Sequence, residues 1–164
     1  MANLAILGLM KFLHDLFTVL WIGGMLILGI VVLPSLRGAL GKGPEMKKIT
    51  DLIRRRLSRV ALISIIGLFI TGVLLSNSSP LFDGYLSFGN TYSMLLATKH
   101  ILIGIMVAIS FVRNMLLSRL TPETMQKQEK MGMLLLMLNI LLGISVLMLS
   151  GYTAALSTIE NLVQ

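Results

Sequence analysis

The chain has no cysteine, and that absence excludes disulfides, iron–sulfur clusters and thiolate zinc sites. Acidic residues are scarce, 7 Asp and Glu against 14 Lys and Arg, for a net charge of +7. The basic residues gather in short stretches between long apolar runs, a pattern that belongs to membrane topology and does not point to nucleic acid. Proline occurs four times, tryptophan once and histidine twice. With two histidines the chain holds at most one bis-histidine haem, so by itself it is not a two-haem wire across a bilayer. The first positive side chain is Lys11, and the apolar start lacks the basic opening of a cleaved signal peptide, so Met1 onward reads as the retained beginning of the first span.

What is abundant is apolar surface. Of 164 residues 55% are hydrophobic, and the mean hydropathy is +0.89. Several uncharged runs approach the length that crosses a bilayer. The expected fold is all-α: an integral membrane four-helix bundle, up-down-up-down, in one domain over 1–164. The spans are expected at about 4–33, 57–75, 92–117 and 131–155. Pro34 should end the first, because proline removes a backbone donor and clashes with the preceding turn. Pro44 suits the first turn of the next helix. From there Met46, Ile49, Leu52, Ile53, Leu57 and Val60 recur at helical spacing among Lys47, Lys48, Arg54, Arg55, Arg56 and Arg59. That is a basic amphipathic helix running directly into span two, read as a topology signal and a contact for anionic lipid.

Span two carries a small-residue stripe, Ser64, Gly67 and Thr71, suited to close backbone approach in lipid. Such stripes also permit a homodimer. The loop from Asn77 to Ser93 has no lysine or arginine, carries the turn formers Pro80, Gly84, Gly89 and Asn90, and places Tyr85, Phe88 and Tyr92 for an interfacial aromatic belt. Thr121-Pro122-Glu123 reads as a helix start before span four, on which Asn139, Gly143, Ser150 and Ala154 lie near one face. Positive loops stay cytoplasmic, so both termini should lie outside an inner or plasma membrane.

Ionisable groups at membrane depth are costly and mark function by default. Span one holds Lys11, His14 and Asp15, with Lys11 and Asp15 four apart and able to pair. Span three holds Lys99 and His100. His14 lies twenty residues before Pro34 and His100 nineteen before Arg119, which at a rise of about 1.5 Å per residue sets them at nearly one height in the outer half of the membrane. Ala97 and Gly104 flank His100 at one turn. Met10, Lys11, Phe17, Thr18 and Trp21 share the side of His14, with Gly24 packing below. Small residues by one histidine and aromatics by the other suit a flat apolar macrocycle, so haem b with His14 and His100 as axial ligands is the leading expectation. Lys11 is placed to meet a propionate. Such a protein would serve electron transfer with a redox partner at the outer face, or haem handling. Copper is the rival: Met10 and His14 are four apart, Met94 and Met148 also lie toward the outside, and thioether with imidazole suits Cu(I).

The motifs His14, Trp21-Ile-Gly-Gly24 and Leu33-Pro34-Ser-Leu36, with Arg56-Leu-Ser-Arg59, Thr71-Gly72-Val-Leu-Leu, Tyr92-Ser-Met-Leu-Leu-Ala-Thr-Lys99 and Leu138-Asn139-Ile-Leu-Leu-Gly143, resemble the copper-resistance protein D (CopD-like) membrane family. That likeness covers most of the chain and implies a four-helix membrane unit linked to copper handling. The first-span pattern also resembles the HemJ-type protoporphyrinogen oxidases. It implies a haem-containing enzyme with His14 and Lys99 in the matching places, Lys99 contacting substrate carboxylates. No histidine follows Leu33-Pro34 in the next turns, which departs from that pattern.

Overall fold

The computed structural model describes residues 2–41, 43–78, 84, 89, 91–118 and 125–163. Four long helices account for nearly all of them. The first, α1, is one continuous run over residues 2–40, α-helical over Ala2–Thr18, Gly24–Ile27 and Leu33–Leu40, with π-helical turns at Val19–Gly23 and Leu28–Val32. Helix α2 is Pro44–Asn77, α3 is Thr91–Ser118 and α4 is Met125–Val163. All four are long and apolar enough to cross a membrane. The fold is therefore all-α, with the make-up of an integral membrane helical bundle.

Burial runs opposite to that of a water-soluble protein. Phe69 and Phe111 are 73% and 70% exposed, while Ser64 and Ser93 are fully buried and Thr71, Ser76, Asn139 and Thr153 nearly so. In water such aromatic exposure would be an aggregation liability. In lipid the apolar surface is already solvated, and polar groups turn inward to find partners.

The chain forms two compact units, Met1–Leu75 and Ser76–Gln164. The first is an antiparallel hairpin of α1 and α2. His14 meets Thr71 and Gly72, Phe17 meets Gly67, and Gly24 faces Leu57, so the partners descend as α1 ascends. A Cβ on Gly67 would run into the Phe17 ring, whereas one on Gly24 would make ordinary contact with Leu57 at 3.7 Å. The stripe Ser64, Gly67 and Thr71 is thus part of the face of α2 on which α1 lies.

The second unit is an antiparallel hairpin of α3 and α4. The Leu117 side chain sits against Gly132, the Arg113 Nε–H donates to the Gly132 carbonyl at 3.2 Å, and Asn139 bonds to α3. The buried line on α4 runs through Leu136, Asn139, Ile140, Gly143, Val146 and Thr153. Ala154, expected on that line, is exposed. A period of 3.6 carries the face from Ser150 to Thr153 instead.

Pro34 does not end α1. The π turn Leu28–Val32 ends two residues before it, and the Leu33 N–H bonds the Leu28 carbonyl five residues back. This shift of register takes the strain that proline imposes on a regular helix, where it clashes with the carbonyl four residues earlier. The stop comes at Gly41, whose φ of 64° and ψ of −157° suit glycine alone and whose N–H donates to the Arg37 carbonyl at 3.1 Å. Pro44 opens α2 as expected, and α2 continues unbroken from the basic stretch into span two. Thr121-Pro122-Glu123, with Pro80, Tyr85, Phe88, Asn90 and Arg119, lies outside the described residues.

Candidate functional site

His14 belongs to the first unit, on α1, and His100 to the second, on α3. Each is half-buried. The His14 Nδ1 lies 2.9 Å from the Thr71 hydroxyl oxygen. That hydroxyl has one proton, and it donates it to the Gly67 carbonyl at 2.7 Å. Toward His14 it therefore accepts, and His14 Nδ1 carries the hydrogen. Gly72 stands at the same level, where an added Cβ would come within 3.6 Å of the His14 ring. Below, the Thr18 hydroxyl donates to the His14 carbonyl at 2.8 Å, the usual way an intrahelical threonine is satisfied in lipid.

His100 reaches the same state by another route. Its Nδ1 lies 2.7 Å from the Leu96 carbonyl oxygen, which only accepts, so Nδ1 is again the donor. In a neutral ring both histidines then carry the lone pair on Nε2. Ligating histidines are commonly held in this way, the second nitrogen donating to a carbonyl or hydroxyl that sets tautomer and ring direction.

The residues expected around the histidines divide. Ala97 is fully buried, whereas Gly104, one turn past His100, is exposed and an added Cβ there would meet nothing within 4 Å. The surface of α3 is therefore open at Gly104. Lys99 is half-buried. Trp21 is almost fully buried, and nothing among the described residues hydrogen-bonds its indole N–H or the buried Ser64 hydroxyl. Lys11 and Asp15 are both exposed, and no ion pair joins them among the described residues. An exposed pair of this kind gains little, which is why helical spacing alone does not secure it. Met10 is half-buried one turn from His14, while Met94 and Met148 are exposed.

Among the described residues no three or more His, Asp or Glu side chains converge as a metal-binding group. Haem asks for less, since the macrocycle brings four nitrogens and each face needs one imidazole. Each imidazole, taken by itself within its own unit, has the donor chemistry of such a ligand. Thr71 and Leu96 are the partners that sequence reasoning did not assign. Thr71 was visible only as part of the small-residue stripe, where its hydroxyl was the signal. Leu96 acts through its backbone, which no side chain advertises.

The fold and these residues define a multi-pass helical membrane protein with one ionisable imidazole in each hairpin. No family model, no curated protein and no solved structure matches the chain.

Proposed function

We propose that the protein is a b-type haem protein of an inner or plasma membrane, with Nε2 of His14 and Nε2 of His100 as the axial ligands of one haem. The observation that carries this reading is the shared donor state of the two Nδ1 atoms, each fixed by an oxygen that accepts. A haem held by these two imidazoles would supply a one-electron couple. The chain's own part is to hold both rings, through Thr71 and through the Leu96 carbonyl, and to keep water from the site with apolar helices. Lys11, exposed one turn before His14, is the cation for a propionate. Both termini outside the membrane would put this chemistry at the outer face, for electron transfer or haem handling there.

The test is an absorption spectrum of the purified full chain, oxidised and then reduced with dithionite. The expected result is a sharp Soret band with resolved reduced bands, and His14→Ala or His100→Ala each abolishing the six-coordinate spectrum. A flat visible spectrum from haem-replete cells overturns the reading. Stoichiometric copper in that colourless protein would instead support the CopD-like resemblance, with Met10, His14 and His100 as the ligands to mutate next.

A further inference from the structure

At the basic end of α2, away from either histidine, lies a second group of polar atoms that the haem reading does not use. Thr50 and Arg54 are four residues apart and so share one face of the helix. Arg54 is 12% exposed, and its Nη2 pairs with Asp51 Oδ1 at 3.3 Å. Its Nε and Nη1 are buried with no hydrogen-bond partner among the described residues, and so is the Thr50 hydroxyl. A threonine in a helix ordinarily donates to the carbonyl one turn back, as Thr71, Thr98 and Thr153 all do here. Thr50 departs from that habit on the same face as an under-answered guanidinium. Leaving donors of a cation unanswered away from water is expensive, and one exposed-side carboxylate does not meet five N–H groups.

The surroundings say what kind of acceptor would come. Lys48, Arg55, Arg56 and Arg59 are exposed around this turn, against Glu45 and Asp51. Immediately beyond, from Val60 to Leu75, no residue is charged. Arg54 therefore stands where the membrane-spanning part of α2 meets its basic end, the depth of lipid headgroups. We propose that Thr50 and Arg54 form a seat for a phosphate-bearing anion, the phosphodiester of an anionic membrane lipid. The exposed arginines draw it in, and the Arg54 stem, long and flexible, brings its head to the phosphate. A phosphate offers the several acceptor oxygens and the negative charge that these donors call for. Diffuse attraction of a basic stretch to a membrane differs from this, since it would not single out Thr50, which is uncharged.

The experiment is native mass spectrometry of the full chain in detergent, titrated with phosphatidylglycerol and, separately, with phosphatidylcholine. The expected result is one retained phosphatidylglycerol and no matching retention of phosphatidylcholine. Arg54→Met and Thr50→Val should each weaken retention about tenfold, the loss of a charge-assisted hydrogen bond, while Arg55→Met changes it less than twofold. Thr50→Val is nearly isosteric and keeps every charge, so its effect reads the seat without disturbing the fold, and helical melting checks both variants. Inorganic phosphate as competitor separates the sources. Retention that survives millimolar phosphate assigns the seat to the lipid, and displacement assigns it to a free phosphate anion. Equal loss for Arg54→Met and Arg55→Met, with none for Thr50→Val, overturns the proposal.

Discussion

Thr71 is the residue on which the state of His14 depends. Its hydroxyl is already committed as a donor to Gly67, so the imidazole is the donor in the contact between them. Thr71→Val keeps the shape and removes the acceptor, leaving the Nδ1–H of His14 without it at a cost of about 1–3 kcal/mol. The expected outcome is a shift of His14 away from its Nδ1–H tautomer, read directly from the imidazole nitrogen chemical shifts. In the haem reading it also brings roughly a 10–100-fold weaker hold on the cofactor. Thr71→Ser should leave both nearly unchanged. Unaltered nitrogen shifts in Thr71→Val would show that the tautomer is set elsewhere. His14 and His100 stand out in the sequence because imidazoles are rare and costly in apolar spans. Their partners do not, since a threonine in a stripe looks like packing and a backbone carbonyl looks like any other.

The helices show where pattern suffices and where it stops. Apolar length located all four, and the run of α2 from Pro44 into span two was legible because proline at the start and an unbroken 3.6 spacing agree. The path of α1 past Pro34 was not legible, because the π turn that accommodates proline is a change of hydrogen-bond register with no side-chain signature of its own. Its true stop, Gly41, is one glycine among fifteen in the chain. Between α3 and α4 the decisive residue is Asn139, whose Nδ2 donates to the Met106 carbonyl at 3.3 Å and to the Ser110 hydroxyl at 2.7 Å. In lipid such a bond holds helices together where apolar contacts do not distinguish neighbour from solvent. Asn139→Leu should therefore loosen this hairpin by about 1–2 kcal/mol. Ser110→Ala should cost less, because the Met106 carbonyl still accepts. Steric-trap or detergent unfolding of the full chain gives both numbers, and equal stability of Asn139→Leu and the parent would mean that the contacts at Gly132, the Leu117 side chain and the Arg113 hydrogen bond, hold the pair without it.

For the whole molecule, one solvent explains both patterns seen in the structure. Exposed Phe69, Phe111 and Leu134 alongside buried Ser64, Ser93 and Asn139 make sense only where the surroundings are hydrocarbon. The same surroundings turn the placement of charge into a statement about orientation. The connection around Gly43 is flanked by Arg37, Lys47 and Lys48, while the stretch from Asn77 to Ser93 has no lysine or arginine. The bias of basic residues toward the cytoplasm would then set both termini outside. Because the chain has no cysteine, single cysteines report this cleanly. Thr158→Cys, on an exposed position near the C-terminal end of α4, should react with a membrane-impermeant maleimide on intact cells, or on spheroplasts where an outer membrane intervenes. Gly43→Cys should react only after the membrane is permeabilised. The reverse pattern would invert the orientation, move His14 and His100 to the cytoplasmic half, and set the Thr50–Arg54 seat against the outer leaflet. The charge argument and the labelling therefore decide together which side of the membrane the imidazole chemistry serves.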